Sequence, residues 1–172
     1  MTTSTYWDAV VEFAHENEVL IEVIIFVLGF AESLVFVSAF IPASVLFLAL
    51  AAVHSAGEGP FLPILLAGAA GCLLGDIVSF AIGWRVREDV YRCWPFNTRP
   101  ELLNRMRNLF EQRGSSAIYI SKFVGPLRPV GPFIAGAMHM KWPVFVVASC
   151  GSSLIWAAAF LAPGYYGLQL FK

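Results

Sequence analysis

Four long apolar stretches, roughly 19–53, 61–84, 114–140 and 142–168, constrain this chain more than any other feature, because proline interrupts two of them midway and charged residues lie deep inside three. A helix needs about 20 residues to cross a hydrocarbon core roughly 30 Å thick, so each stretch can be tested against that length. Two pass. Stretch 61–84 carries one charge, Asp76, and places Gly71, Gly75, Ser79 and Gly83 at four-residue spacing, a small-residue face suited to close helix packing. Stretch 142–168 has no charge, starts at Trp142-Pro143 and ends near Tyr165 and Tyr166, which fits the aromatic belts at the two membrane surfaces.

The other two stretches fail in the same way. Stretch 19–53 has 35 residues, too many for one crossing and too few for two, and Pro42 leaves eleven residues before His54-Ser55-Ala56-Gly57, read as a polar turn. In 114–140, Pro126, Pro129 and Pro132 leave about eleven residues before the interruption and about eight after it. Arms of half length predict two re-entrant helical hairpins, one dipping from the outer face and breaking near 41–43, the other dipping from the cytoplasm and breaking at 125–131. Kinked full spans are the alternative. Broken backbone at membrane depth must be buried in protein or line a wet cavity, so two opposed breaks predict a cavity.

Of the 172 residues, 58% are hydrophobic and 13% charged, which points to a single all-α integral membrane domain with lipid as its solvent. No Lys or Arg precedes Arg85, whereas Asp8, Glu12, Glu16, Glu18, Glu22 and Glu32 all fall in the first 32 residues. Arg85, Arg87, Arg92, Arg99, Arg105, Arg107 and Arg113 crowd the loop 85–113, which the positive-inside rule places in the cytoplasm, with the N-terminus outside. Residues 1–18 form an outer-face acidic segment without the basic start of a cleavable signal, so the first apolar stretch is expected to remain. Within the basic loop, 98–114 reads as an amphipathic helix: Thr98 and Glu101 suit a capping box, Gly114 follows the end, and Leu102, Leu103, Met106, Leu109 and Phe110 share a face. That helix either lies on the inner leaflet against anionic headgroups or is a connector packed on protein.

Glu32, Asp76, Lys122 and Arg128 are the ionisable residues inside apolar sequence, where an unpaired charge costs on the order of 3 kcal/mol. A desolvated carboxylate can take up a proton while Arg stays charged, so Glu32 opposite Arg128 would make a proton-sensitive pair beside a fixed positive site; a static salt bridge locking the hairpins is the plainer reading. Asp76 suits either proton coupling or a structural bond to backbone or a nearby Arg. Lys122 is close enough to the cytoplasmic face to snorkel. Arg128, in Gly125-Pro126-Leu127-Arg128-Pro129 at the deepest point of its hairpin, is placed to bind a phosphate by its planar fork. Cys72, Cys93 and Cys150 read as packing residues, and His15, His54 and His139 as interfacial or turn residues without metal spacing. Ser115, Ser116, Ser152 and Ser153 have no nearby His-acid partner and no nucleotide-binding or hydrolase motif is present, so the expectation is no enzyme, no metal or cofactor and no nucleic-acid partner.

These residues together resemble the DedA family, also known as SNARE-associated or VTT-domain membrane proteins. Phe30-Ala31-Glu32 followed by Phe40-Ile41-Pro42 is similar to that family's first hairpin, Gly75-Asp76 to its Gly-Asp span, and Phe110-Glu111-x-x-Gly114 to the approach of its second hairpin. The most specific string is Lys122-Phe123-x-x-Pro126-x-Arg128 running into Pro132-Phe133-Ile134-Ala135-Gly136-Ala137-Met138. The resemblance implies a multi-pass transporter of the bacterial inner membrane that returns undecaprenyl phosphate or a related lipid phosphate across the bilayer, with dependence on the proton gradient. By position, Glu32 then matches the family's hairpin carboxylate, and Lys122 and Arg128 match its two hairpin arginines and are expected to hold the headgroup phosphate together. Two departures are visible: Lys122 stands where Arg is usual, and Pro42-Ala43-Ser44 replaces a Pro-Gly-acid triplet. The resemblance implies a further C-terminal span beyond Lys172 in many relatives, so the expectation is either a short member of the family or one that relies on a partner copy in a homo-oligomer. The other readings are a small-ion or anion carrier and a non-transporting assembly factor.

Overall fold

The computed structural model describes residues 3–34, 43–86, 100–124 and 128–169, and among them every regular element is helical. The helices are α1 (Thr3–Glu16), α2 (Glu18–Ser33), α3 (Ala43–Ala56), α4 (Phe61–Val86), α5 (Pro100–Arg113), α6 (Ser116–Phe123), α7 (Val130–Ala137) and α8 (Trp142–Gln169). At 1.5 Å per residue the 26 residues of α4 and 28 of α8 reach about 39 and 42 Å. These two are long and apolar enough to cross a membrane. The 16 residues of α2 and 14 of α3 give about 24 and 21 Å, and the eight residues each of α6 and α7 only about 12 Å.

Contacts along the helices fix their directions. Gly71, Gly75 and Ser79 of α4 face Phe26, Phe30 and Ser33 of α2 at a near-constant offset, so those helices run parallel. Arg128 meets Cys72, the Phe133 carbonyl faces Gly83 and His139 packs on Trp84, which aligns α7 with them. Phe80 stacks on Phe145, Asp76 bonds Ser149 and Phe61 packs on Tyr165, so α8 is antiparallel to α4. Tyr119 against Gly151 and Lys122 against Ser153 make α6 parallel to α8, as do Phe47 against Trp156 and Leu48 against Gly164 for α3. The order therefore repeats: a helix pair followed by a long helix (α2, α3, α4), then the same unit with every direction reversed (α6, α7, α8).

The glycines of α4 let this happen at contact distance. A Cβ at Gly71 would run into the Phe26 carbonyl, and one at Gly83 into the Phe133 carbonyl, so one small-residue face serves α2 along its first part and α7 along its last. Many apolar side chains point outward instead, among them Val19, Val23, Val27, Val45, Val147 and Ile155, as in a bundle solvated by lipid.

Several boundaries differ from the sequence reading. Residues 3–16 form a helix, α1, whose buried Ala14 lies against Gly57. His54, Ser55 and Ala56 are not a turn: they are buried in α3, and the chain reverses at Gly57 and Glu58, the latter at φ 62°. Pro132 does not break a helix either. It is the third residue of α7, where its missing N–H has no intrahelical carbonyl to meet, while Pro129 immediately precedes the helix. Pro42 and Pro126 lie outside the described residues. Helix α5 starts at Pro100 with Glu101 in its first turn, Thr98 lies outside the described residues, and Gly114 takes φ +55° just past the end. Leu103, Met106 and Phe110 are buried against α6 and α7, whereas Asn104, Arg105, Arg107, Asn108 and Glu111 are exposed.

Candidate functional site

Two apolar clusters fill the bundle. One, around Met106, Ile118, Phe133 and Phe145, lies toward α5; the other, around Ile25, Phe47, Ile64 and Trp156, lies toward the α3–α4 turn. Buried polar side chains gather between them: Glu32 and Ser33 at the end of α2, Asp76 and Ser79 in α4, Ser121 and Lys122 in α6, Arg128 before α7, and Ser149, Ser152 and Ser153 in α8. Asp76 lies ten residues before Val86, about 15 Å along the axis, which is half a hydrocarbon core. Glu32, Asp76, Lys122 and Arg128 are 8%, 1%, 2% and 7% exposed, so their charges must be matched inside the protein.

Lys122 and Asp76 form one pair, with Nζ 2.7 Å from Oδ2. Both Ser149 and Ser153 donate to the same carboxylate oxygen, Ser153 at 3.5 Å, and the Lys122 ammonium donates to Ser153. Three elements are joined by this cluster, α4, α6 and α8. It is internally complete, because none of its buried side-chain nitrogen or oxygen atoms lacks a partner.

Arg128 and Glu32 form the second pair, through Nη1 and Oε1. The guanidinium lies on the face of Trp156, 3.5 Å from the ring centroid, and Nη2 points to the Cys72 thiol at 3.7 Å. Ser44, near the start of α3, lies close to the Glu32 carboxylate. This corner is incomplete. Glu32 Oε2, Ser33 Oγ and Arg128 Nε are buried without a hydrogen-bond partner; among the described residues only His54 Nδ1 shares that condition. Two cations and two carboxylates give the layer a formal charge of zero, and the Arg128 corner alone has spare donors and a spare acceptor for an exchangeable anion.

All four charges singled out in the sequence come together here, Glu32 with Arg128 and Asp76 with Lys122. Lys122 does not snorkel; it is buried on Asp76. Gly125, Pro126 and Leu127 lie outside the described residues. Cys72 belongs to the site, Cys150 is exposed rather than packed, and Cys93 lies outside the described residues. His54 is buried with Nε2 3.0 Å from the Pro60 carbonyl, His139 takes φ 57° in the turn before α8, and His15 is near Glu18. Among the described residues, no group of three His, Cys, Asp or Glu side chains could hold a metal ion. Sequence reasoning does not find Ser33, Cys72, Ser149 and Trp156 as site residues. Ser149 and Ser153, four apart on an uncharged span, are the legible signal: two hydroxyls on one face of a membrane helix mark where a polar partner sits.

The VTT domain model matches residues 23–166. Inner membrane protein YabI of Escherichia coli (strain K12) is 34% identical over 137 residues, covering 79% of this chain and 54% of that protein. An uncharacterized membrane protein of Buchnera aphidicola subsp. Schizaphis graminum (strain Sg) is 29% identical over 141 residues, 82% of this chain and 56% of its own. Protein DedA of Escherichia coli (strain K12) is 28% identical over 159 residues, 90% of this chain and 72% of its own. The chain thus spans about half the length of the first two of these curated relatives. No solved structure matches it. With membrane-capable helices around a buried layer of charge and a family match over most of its length, the chain belongs to the VTT-domain, or DedA, family of membrane proteins.

Proposed function

We propose that the protein moves a lipid phosphate, undecaprenyl phosphate or a close relative, across the bacterial inner membrane with proton coupling. The observation that carries this reading is the Arg128–Glu32 corner: a buried cation held by one carboxylate, with unpartnered donors beside it that a different anion could use. A phosphate arriving at Arg128 brings negative charge into a layer whose sum is zero, at a depth where net charge is costly; a proton taken up by the displaced Glu32 offsets one unit of it. Ser44 stands where the family has an acid, so Glu32 and Asp76 are the carboxylates left to exchange protons. Lys122, matched by Asp76 and Ser153, supports the phosphate site through its field in this conformation.

The helix pairs α2–α3 and α6–α7 serve in this reading as re-entrant hairpins entering from opposite faces, and their tips bring Glu32 and Arg128 together. A helix order that repeats with reversed direction around a midplane site is the arrangement by which transporters alternate access between two faces. The N-terminus lies outside, and the exposed basic face of α5 rests at the cytoplasmic surface among anionic headgroups. The protein is a transporter rather than an enzyme, and a second copy of the chain is its candidate protein partner.

Proteoliposomes loaded with outer-leaflet undecaprenyl phosphate test the proposal. Lipid should move inward faster than in protein-free vesicles and faster still with an imposed proton gradient, while vesicles lacking polyprenyl lipid should pass no small anions. Anion flux without lipid movement would overturn it.

A further inference from the structure

The phosphate reading counts Ser33 only as a spare donor and assigns it no particular oxygen, yet Ser33 has the least explained hydroxyl in the layer. A serine in a helix ordinarily bonds a carbonyl three or four residues back. Ser121 does so to Ile118 and Ser152 to Ser149, but Ser33 Oγ has no partner although the residue is 1% exposed. Its position is held from outside. The Ser79 hydroxyl donates to the Ser33 carbonyl at 2.9 Å, and the Ser33 Cβ lies against Gly75, where any side chain would collide with it. The hydroxyl thereby lies near the Cys72 thiol, at most a weak partner, which itself touches Arg128, and one residue from Glu32.

We propose that Ser33 is a specificity-determining ligand of this seat, donating to the third terminal oxygen of a phosphomonoester; the inference rests on Arg128 as the phosphate ligand. Stacking on Trp156 leaves the guanidinium only its edges. An edge formed by Nε and one Nη takes two phosphate oxygens bidentately. A diester headgroup has no more terminal oxygens to satisfy. A monoester has one more, and the unpartnered buried hydroxyl near the same guanidinium is Ser33. Terminal phosphate is the ligand chemistry, and it is shared by a lipid monoester and by inorganic phosphate.

The test is equilibrium binding to the full chain in nanodiscs at neutral pH, with three probes: farnesyl phosphate, its methyl diester, and inorganic phosphate. Wild type should bind the monoester more tightly than the diester, with about tenfold of the preference from one hydrogen bond to a charged group and the rest from the monoester's greater charge. Ser33→Ala should lose that tenfold for the monoester and leave the diester unchanged. Ser33→Cys keeps the shape but offers a weak donor, so it should behave like the alanine variant. Equal weakening of both esters by Ser33→Ala, no effect on either, or wild-type selectivity in Ser33→Cys would overturn the proposal. The parent reading fails separately: if Arg128→Ala binds the monoester as wild type does, Arg128 is not the ligand and both fall. Inorganic phosphate binding as tightly as farnesyl phosphate, with the same Ser33 dependence, would support the seat and overturn its lipid source.

Discussion

The Lys122–Asp76 and Arg128–Glu32 pairs occupy one polar layer, at similar burial and with the same formal chemistry, and they differ in their surroundings. Asp76 accepts from Lys122 and from two α8 hydroxyls, and Lys122 also holds Ser153. No buried side-chain nitrogen or oxygen there is without a partner. Glu32 and Arg128 each keep an atom unpaired, with a third on Ser33. A saturated network resists change because any movement exposes a buried charge, whereas an unsaturated one has capacity for a ligand. Sequence position agrees with this division. Asp76 and Ser153 sit inside the two long helices, while Glu32 and Arg128 flank the interruptions of the short helix pairs.

The largest expected effect breaks the closed pair. Asp76→Ala leaves Lys122 charged and unmatched at 2% exposure and should cost about 3–5 kcal/mol in chemical unfolding from micelles. Adding Lys122→Met should recover most of the loss, since it removes the orphaned charge. Unchanged stability in the single variant would show that the cluster fastens nothing.

Next comes the surface on which both pairs are assembled. Gly83→Ala puts a methyl group into the Phe133 carbonyl and displaces α7, the helix that follows Arg128. It should cost about 1–3 kcal/mol and reduce transport as well, seen in paired unfolding and vesicle measurements. A variant that transports normally would detach the Arg128 corner from the α4 face.

A smaller loss of about 1–2 kcal/mol is expected for Glu32→Gln, because the delocalised guanidinium keeps the Trp156 face and Cys72 after its carboxylate partner is neutralised. Transport by this variant should respond much less to an imposed proton gradient, Asp76 being the carboxylate that is left. Stability falling as far as in Asp76→Ala would erase the difference between the pairs.

Much of this division is legible in the amino-acid sequence. Length arithmetic around Pro42 and Pro126 separates two full spans from two interrupted segments, because helix rise and bilayer thickness are fixed quantities. The four buried charges can be named since no other residue type is so costly in apolar sequence. Their pairing cannot be read, because 46 residues separate Asp76 from Lys122 and 96 separate Glu32 from Arg128 along the chain. Pro132 departs from expectation for a local reason: proline breaks a helix only beyond its first turn, and the turn begins one residue after Pro129. His54 looks like part of a turn as a polar residue near glycine, yet its ring is buried against Gly59 and the Pro60 carbonyl. The repeat with reversed direction leaves no matching side-chain identities; its trace in sequence is the order of interrupted stretch and full span, met twice in 19–84 and 114–168.

Arg128 is the cation proposed to meet the travelling phosphate, and the rest of the transport cycle depends on it. Uptake of outer-leaflet undecaprenyl phosphate into proteoliposomes, with wild type and Arg128→Ala at equal amounts of folded protein, tests that role most directly. Uptake with Arg128→Ala should fall to the rate of protein-free vesicles; transport at the wild-type rate would contradict the assignment.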